Sequence, residues 1–522
     1  MSSPIKDIVI LGGGTAGWLT AAVIAAEHCV QQRSEKSFSV TLLESPDVPT
    51  LGVGEGTWPS MRNTLKKIGV RETDFIRECD ASFKQGTFFK SWRCGAGDTY
   101  AHPFTIPHRY QEANPALWWR ETRPDADFAE SVCPQASLLA GDLAPKDITT
   151  PEYAFNANYG YHLDAGKFAG FLRKHATTVL GVRHLSTRVI SVNASPTGDI
   201  ASLETDSLGA ISGDLFIDCS GSRALLLGDH YGIDLVAQDH ILFNDTALAV
   251  QLDYPDPQAP IASATLATAQ SAGWIWNIGL PTRRGVGYVF SSHHVSVDHA
   301  EIAMRDYLGS LAPAEITKNL SPRQINFQPG YRAKFWHKNC VAIGMSAGFI
   351  EPLEASALVL VEKFAGFVAE ELPSNRTVMD VIAKRFNRKF SQQWSSIIDF
   401  LKLHYAVSER QDSQYWKDHR LRTTQPESLR ENLARWRHQA PWHHEAVNVD
   451  DLFPSASFQY VLYGMGFSTA VASTDRRSQN KSTDWAGRLF AESAAQQAKF
   501  QQSMPSNRAL LDKVVEYGFQ TL

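Results

Sequence analysis

The chain has 522 residues, too many for one small hydrophobic core, and this length indicates two or more fused modules. A formal net charge of -5 gives no electrostatic reason to expect nucleic acid or an anionic membrane as a partner. The six cysteines lack zinc-type spacing, no cationic leader precedes a hydrophobic stretch, and no apolar run approaches the ~20 residues that span a bilayer. We therefore expect a cytoplasmic globular protein without a metal site.

The first predicted elements are a strand, a helix and a second strand. Residues Ile5 to Leu11 are predicted to form a buried strand, and Ala16 to about Val30 an apolar helix. Phe38 to Leu43 is predicted as a second strand that ends at Glu44. A βαβ unit of this kind opens a doubly wound parallel sheet.

The rest of the chain is predicted to contain mixed β-structure first and helices afterwards. From about Ser356 the apolar pattern is helical through Leu403 and again near Leu511, with polar surface helices and loops from Ser408 to Arg437. We expect an α/β fold whose core, residues 1–355, carries an inserted mixed sheet, followed by a mainly helical module, residues 356–522. The middle strands are predicted at Val189–Val192, Leu203–Thr205, Leu215–Cys219, Ala247–Leu252 and Val286–Ser291.

The glycine-rich segment after the first strand fits the GxGxxG fingerprint of dinucleotide-binding proteins. Gly12 permits the tight turn, Gly14 lets the backbone approach a pyrophosphate, and Gly17 lets the helix pack closely on the strand. The amides at the start of the helix meet the phosphates, and Glu44 is placed to accept hydrogen bonds from a ribose hydroxyl. The predicted cofactor-binding residues here are Gly12, Gly14, Thr15, Ala16, Gly17 and Glu44.

Two later segments favour FAD over a nicotinamide cofactor. Leu215–Gly221 and Val341–Gly344 are each a buried strand followed by small residues, and Val341 to Ala347, with Gly344, is predicted to contact the flavin end of the cofactor. The sequence has no second GxGxxG, so we expect electrons to arrive as preformed reduced flavin. Residues 1–355 are therefore predicted to be an FAD-binding core and residues 356–522 a substrate module.

Along most of its length the chain resembles the flavin-dependent tryptophan halogenase family. The resemblance implies that FADH2 comes from a separate flavin reductase. The FADH2 reacts with dioxygen and a halide, chloride or bromide, to give hypohalous acid. This acid then moves through a tunnel to an indole-like ring. The matching stretches are GGGTAGW (Gly12–Trp18), GVGEGTWPS (Gly52–Ser60), SFKQGTFFKSW (Ser82–Trp92), YHLDAGKFAGFL from Tyr161, WIWNI from Trp274, NCVAIGMSAGFIEPLE ending at Glu354, and HYAVSERQD from His404.

The resemblance implies two catalytic side chains. Lys84 matches the family's essential lysine, which hydrogen-bonds hypohalous acid or forms a haloamine with it; the haloamine requires a neutral amine, a form that burial favours. The alternative for Lys84 is an ordinary surface lysine, as Lys90 nearby would be. Glu354 matches the catalytic glutamate, which polarises the oxidant or helps remove the ring proton. The alternatives are that Glu351 has this catalytic role, or that Glu354 only caps a helix.

Backbone amides at Ser356 and Ala357 are implied as the halide site, with Ser356 as the N-cap of a helix whose dipole faces the anion. The family usually has Ser-Thr-Gly after the glutamate, whereas this chain has Ala355-Ser356-Ala357. The lost hydroxyl and added methyl alter the fit of the halide, and our hypothesis is a preference for bromide over chloride.

Aromatic residues are implied at the flavin and at the substrate. Trp274 and Trp276 match most of the family's WxWxIP motif and would keep an organic substrate from the flavin; the alternative is a strand with tryptophans facing the core. His102 and Phe104 match residues that border the indole, and Phe458 stands where the family usually has tryptophan. Residues that hold the charged groups of free tryptophan are not evident, which favours an indole without them, or a larger ligand, over the alternative of free tryptophan.

Two other functions remain open from the sequence. A single-component FAD-dependent monooxygenase would share the fingerprint and hydroxylate an aromatic substrate without Lys84. A flavin-binding sensor would keep the fold without activity. A homodimer is one candidate assembly.

Overall fold

The computed structural model describes residues 4–28, 38–48, 54–95, 97–445, 451–470 and 483–520. The remaining residues include Val30, the predicted end of the first helix, and Gly52 and Val53 of the GVGEGTWPS stretch. The chain forms two compact units whose segments alternate along the sequence, which differs from the consecutive division at residue 355. Unit 1 comprises Met1–Ala81, Leu163–Gln238 and Phe327–Trp394, and unit 2 comprises Ser82–His162, Asp239–Asn326 and Ser395–Leu522.

The strands and helices are numbered in chain order within the described ranges. The strands are β1 Asp7–Leu11, β2 Ser39–Glu44, β3 Gly54–Gly56, β4 Ser82–Lys84, β5 Gly86–Lys90, β6 Thr99–Pro103, β7 Gly160–Asp164, β8 Arg183–Ser186, β9 Val189–Ala194, β10 Ile200–Thr205, β11 Gly209–Ser212, β12 Leu215–Asp218, β13 Leu235–Ala237, β14 Thr246–Asp253, β15 Thr265–Gln270, β16 Gly273–Gly279, β17 Arg283–Phe290, β18 Arg323–Asn326, β19 Gly330–Arg332, β20 Trp336–His337, β21 Cys340–Ala342 and β22 Gly348–Phe349. The helices are α1 Thr15–His28, α2 Ser60–Lys67, α3 Glu72–Glu78, α4 Pro115–Thr122, α5 Phe128–Val132, α6 Ala136–Ala140, α7 Ala165–Thr178, α8 Val297–Gly309, α9 Ala314–Thr317, α10 Ser356–Glu370, α11 Arg376–Ala406, α12 Gln414–His419, α13 Glu427–Trp436, α14 Ser455–Gly464, α15 Thr483–Ser503 and α16 Asn507–Tyr517.

Unit 1 is built on a six-stranded sheet with the order β20-β21-β12-β1-β2-β8. All neighbours are parallel except β20 and β21. Ile10 of the central strand pairs with Leu42 on one side and Ile217 on the other, and all three side chains are fully buried. Continuous apolar runs of this kind are typical of parallel strands covered on both faces. The predicted βαβ order is confirmed, with the strand boundaries within two residues.

Helix α1 follows β1 directly and packs against α7 and α10 in unit 1. Its residues from Gly17 to Ala25 are all buried, which explains why it is apolar all round rather than amphipathic. The sheet and these helices bring four strand ends, of β1, β2, β12 and β21, to one edge.

Unit 2 contains a seven-stranded mixed sheet with the order β18-β14-β17-β16-β15-β5-β6, antiparallel except for the pair β15 and β5. Helix α8 buries Ala300 and Met304 in a hydrophobic cluster with Leu248 and Tyr288 of this sheet. Of the predicted middle strands, Ala247–Leu252 and Val286–Ser291 lie in this sheet as β14 and β17. In unit 1, Val189–Val192 and Leu203–Thr205 belong to the antiparallel sheet β11-β10-β9, and Leu215–Cys219 corresponds to β12 of the parallel sheet. β4 pairs with β7 in antiparallel fashion, with Lys84 opposite Gly160.

The described residues from 356 to 520 contain helices and no strand, as the sequence predicts. The stretch from Ser408 to Arg437 is less exposed than expected, because Trp416, His419, Leu429 and Trp436 have their side chains buried. Every helix in the described ranges is too short or too polar to cross a membrane.

Candidate active site

Unit 1 contains a cavity of about 370 Å³ at the carboxyl ends of its parallel strands. Ligands of open α/β sheets bind at this edge, where loops leave the strands. Among the residues that line the cavity are Gly12, Gly14, Thr15, Ala16, Glu44, Glu55, Ser220, Gly344, Glu351, Ser356 and Ala357.

Each glycine of the fingerprint is explained by a different feature of the local geometry. Gly12 has a φ of +119°, and a Cβ there would lie 2.2 Å from the carbonyl oxygen of Cys219. A Cβ at Gly17 would lie 1.9 Å from the carbonyl oxygen of Gly12, so Gly17 serves packing and does not line the cavity. At Gly14 a Cβ would meet no atom within 4 Å, so this backbone is open to a close approach by a ligand. The amides of the first turn of α1 have no acceptor within the helix.

Glu44, the last residue of β2, lines the cavity as the fingerprint requires. Its Oε2 lies 2.9 Å from Nε2 of His184 on β8 and 4.0 Å from a guanidinium nitrogen of Arg173. A Cβ at Gly13 would lie 2.1 Å from the Glu44 Cδ, so glycine lets this carboxylate pack against the turn. A carboxylate fixed at the end of the second strand matches the ribose-binding acid of dinucleotide sites.

The loop after β21 closes the same edge. Gly344 has a φ of +76°, and a Cβ there would lie 2.6 Å from the Cβ of Ala16. Asp218, at the end of β12, accepts hydrogen bonds from the amides of Leu226 and Leu227, each at 2.8 Å. Burial raises the pKa of Asp218, and these amides oppose that effect. Asp218 thus fixes the turn beside the fingerprint.

The segment that carries both candidate glutamates has an unusual backbone. Glu354 and Ala355 have φ values of +63° and +54°, in the left-handed region that only glycine adopts without cost. The indole N–H of Trp58 donates a 2.8 Å hydrogen bond to the Glu354 carbonyl oxygen, and the Glu354 side chain is 5% exposed. Glu351 is buried and lines the cavity, so both carboxylates remain candidates for the catalytic role.

Helix α10 begins at Ser356, and its N-cap residue is Ala355, which provides no side-chain cap. The prediction of Ser356 as the N-cap is therefore wrong by one residue, because two consecutive left-handed residues turn the chain sharply into the helix. Ser356 and Ala357 both line the cavity. The first-turn amides of a 15-residue helix meet the cavity there, together with the positive end of its dipole.

In unit 2, Lys84 is the last residue of β4 and its side chain is 1% exposed. The alternative of an ordinary surface lysine is excluded by this burial. Its ammonium nitrogen lies 5.5 Å from the centroid of the Phe104 ring. The Ser82 hydroxyl donates a 2.5 Å hydrogen bond to the Gly279 carbonyl oxygen and holds the start of the same strand.

His162 shares a face of the β4–β7 pair with Lys84, since it lies opposite Ser82, two residues away. Its Nε2 lies 2.8 Å from the Thr265 hydroxyl. Burial, and then the charge of Lys84, hold the pKa of His162 well below its usual value, so this imidazole is neutral.

The aromatic residues expected at the substrate form two groups in unit 2. Nε2 of His102 lies 2.9 Å from the Ser457 hydroxyl, and the His102 ring lies 5.8 Å from that of Phe400. Phe458 meets the same Phe400 edge-on at 5.1 Å. Phe104 belongs instead to the surroundings of Lys84.

Trp274 and Trp276 lie on the same face of β16, with ring centroids 6.3 Å apart. Gly287 is paired with Trp276 across the strands, and a Cβ at Gly287 would lie 1.9 Å from the Trp276 ring. Trp274 is buried and Trp276 half-buried. The pair is therefore set into the sheet, and Gly287 makes room for one of its rings.

Four residues near these sites were not assigned a role from the sequence: Glu55, His162, His184 and Asp218. Burial raises the pKa of the cavity-lining Glu55 to about 7. Glu55 and His162 lie inside the quoted family stretches, which is a signal that could have identified them. His184 and Asp218 have no such motif beyond a strand end.

The fold and the cavity of unit 1 define a dinucleotide-binding α/β protein. The family model described as Tryptophan halogenase matches residues 7–482. Tryptophan 6-halogenase SttH of Streptomyces toxytricini is 32% identical over 483 residues, 88% of this chain and 89% of that protein. The crystal structure of a tryptophan halogenase from Shewanella frigidimarina NCIMB 400 is similar with a TM-score of 0.95 at 50% identity, over 99% of each chain. BrvH, a flavin-dependent halogenase from Brevundimonas sp. BAL3, is similar with a TM-score of 0.84 at 32% identity, over 98% of this chain and 99% of BrvH.

The chain belongs to the flavin-dependent tryptophan halogenase family and is a halogenase-like flavoenzyme. The mixed α/β fold is that of the solved halogenases.

Proposed function

We propose that this enzyme halogenates an uncharged indole-like ring, with hypohalous acid as the oxidant and Lys84 as the group that captures it. The observation that carries the proposal is the burial of Lys84 beside an aromatic ring, 1% exposed and 5.5 Å from the centroid of Phe104. A buried primary amine exchanges one hydrogen for halogen, releasing water from hypohalous acid. The haloamine then gives its halogen to a ring carbon and recovers a proton.

The residues of the unit 1 cavity fit FAD. A Cβ at Gly12 would clash with the neighbouring turn, Gly14 leaves open space, and the amides that open α1 suit a pyrophosphate. Glu44 would hold the ribose, and the loop at Gly344 would contact the flavin end. The chemistry that reduced FAD supplies when bound is the two-electron oxidation of halide by dioxygen to hypohalous acid. We propose a separate flavin reductase as the source of the reduced cofactor.

We propose the amides of Ser356 and Ala357 as the halide site and bromide as the preferred halide. The cavity-lining start of α10 supports an anion site of backbone donors. Because Ala355 lacks the hydroxyl of the usual serine and Ala357 adds a methyl group where glycine is usual, the fit differs from that of the family's Ser-Thr-Gly loop. Equal concentrations of bromide and chloride in one reaction test this preference, and dominant chlorination would reject it.

For the remaining roles we propose His102, Phe104 and Phe458 as substrate contacts, and Trp274 with Trp276 as a barrier between substrate and flavin. The aromatic surroundings of His102 support a neutral planar substrate over one with charged amino-acid groups.

Glu354 is proposed to stabilise the ring cation and accept its proton. Its burial and its fixed left-handed backbone support this role. The rival Glu351 is distinguished by the variants Glu354→Gln and Glu351→Gln. Only the first should slow ring chemistry while FAD affinity is unchanged.

The test of the central role is Lys84→Ala, supplied with reduced FAD, dioxygen, bromide or chloride, and indole. Halogenated product, read from isotope patterns by mass spectrometry, should fall by roughly 10²–10⁴-fold while flavin oxidation continues. The matched control is Lys90→Ala, which removes a half-buried lysine from the end of the next strand and should retain full activity.

Undiminished halogenation by Lys84→Ala would remove this lysine from the mechanism. A hydroxylated product that forms without halide would instead identify a monooxygenase.

A further inference from the structure

The C-terminal helix α16 lies beyond residue 482, where the match to the family model ends. Its first residue, Asn507, is completely buried in unit 2. The Ser506 hydroxyl caps the helix by accepting from the Ala509 amide at 3.1 Å. The cap leaves the Asn507 side chain available for contacts outside the helix.

The Asn507 carboxamide donates to two main-chain carbonyl groups from different segments. Its Nδ2 lies 3.2 Å from the Phe83 carbonyl oxygen and 3.4 Å from the Ala262 carbonyl oxygen. An amide nitrogen carries two hydrogens, so one side chain satisfies both acceptors. Both carbonyl groups lie in a buried region, where an unsatisfied acceptor is costly.

These bonds fix the backbone on both sides of Lys84. The Phe83 carbonyl belongs to the peptide group that joins Phe83 to Lys84, so its hydrogen bond sets the orientation of that peptide plane. The following residue, Gln85, donates its amide to the Ser263 carbonyl oxygen at 2.7 Å. Asn507 also bonds Ala262, the neighbour of Ser263. The strand end that carries Lys84 is therefore tied to the 262–263 segment before and after the lysine.

We propose that Asn507 is a positioning residue that aims the Lys84 amine at the oxidant and the ring. The inference rests on the proposed function of Lys84. Reaction rates depend steeply on such alignment, and a displacement of about 1 Å reduces a rate by as much as about 100-fold. Loss of the Asn507 side-chain amide should leave the formation of hypohalous acid intact and impair the capture of that acid by Lys84.

Two variants remove the donor. Asn507→Leu keeps a similar volume but has no donor, and Asn507→Ala leaves space for water to solvate the two carbonyl groups. The matched control is Arg508→Leu on the same helix. Arg508 donates to the carbonyl oxygens of Ala259 at 3.1 Å and Pro281 at 2.7 Å and does not contact β4 through either bond.

The experiment measures product per flavin oxidised, with a diketone trap to quantify free hypohalous acid. For both Asn507 variants we expect this ratio and kcat to fall at least about 10-fold. The KM for indole should not change, and trapped acid should rise. Arg508→Leu should lower the melting temperature without changing the ratio.

A double variant separates positioning from a general structural role. In the Lys84→Ala background, Asn507→Leu should not change the trapped acid per flavin, because the group that Asn507 positions is already absent. A further loss of trapped acid there, or an unchanged product ratio in both single variants, would overturn the inference. Full product from Lys84→Ala alone would overturn the proposed function instead.

Discussion

The carboxyl group of Glu362 provides a direct test of how burial controls stability near the cavity. Glu362 lies on α10, six residues after Ser356, and is 7% exposed. It accepts hydrogen bonds from the Thr64 hydroxyl at 2.5 Å and the Ser60 hydroxyl at 3.0 Å, which join α10 to α2. Burial raises its pKa from 4.5 to about 7, despite the opposing effect of these two donors.

The raised pKa of Glu362 determines the sign and the size of a pH effect on the stability of the fold. The folded state holds a proton that the unfolded state releases between pH 4.5 and 7, so Glu362 stabilises the fold fully below pH 4.5 and loses that contribution as the pH rises through 7. The difference between the unfolded and folded pKa values of Glu362 corresponds to about 3 kcal/mol in the free energy of unfolding. Glu362→Gln keeps a neutral, hydrogen-bonding side chain at all pH values, because either hydroxyl also accepts from an amide.

The assay compares thermal unfolding of the wild-type enzyme and Glu362→Gln from pH 5 to pH 8. From pH 5 to pH 8 the melting temperature of Glu362→Gln should rise by roughly 5–10 °C relative to that of the wild type. The matched control is Glu370→Gln on the same helix, whose carboxylate is 66% exposed in a surface pair with Lys67 and should show no such divergence. A constant gap between wild type and Glu362→Gln across the range would refute the burial argument.

Two further predictions concern glycines. Gly17→Ala should weaken FAD binding at least about 10-fold in a fluorescence titration, because its Cβ would lie 1.9 Å from the Gly12 carbonyl oxygen; Gly170→Ala, with no atom within 4 Å, should bind normally. Gly287→Ala should destabilise the protein by about 1–3 kcal/mol and alter near-ultraviolet circular dichroism, since its Cβ would displace the Trp276 ring. A native spectrum and melting temperature for Gly287→Ala would contradict the close approach.

The start of the chain could be predicted because its signals are local. β1 and β2 are short apolar runs, and the glycine spacing between β1 and α1 is a local pattern, although the contacts at Gly12 and Gly13 come from Cys219 and Glu44 farther along the chain. The order of the six strands in unit 1 was not predictable in this way, because β1 pairs with β12, more than 200 residues later. The alternation of the two units depends on such distant pairings, which a pattern of neighbouring residues does not record.

Only part of the candidate site could be predicted from the sequence, because the rest also depends on contacts between distant residues. Lys84 was identified through its family stretch, but its burial depends on residues far along the chain, and Asn507 has no motif at all. The left-handed backbone at Glu354 and Ala355 was also unpredictable, since neither residue type favours a positive φ. This backbone is what displaces the predicted N-cap by one residue.

Ala355 gives a physical reason to look for halide selectivity in the backbone rather than in side chains. A left-handed alanine costs roughly 1 kcal/mol relative to glycine, and this cost persists only if surrounding contacts determine the turn. One such contact is the hydrogen bond from Trp58 to the Glu354 carbonyl oxygen. A turn held in this way fixes the direction of the first amides of α10 and resists adjustment to a smaller anion. Rigid donors discriminate by size, so the proposed preference for bromide should weaken in Trp58→Phe, which lacks that donor. The ratio of brominated to chlorinated product measures this change.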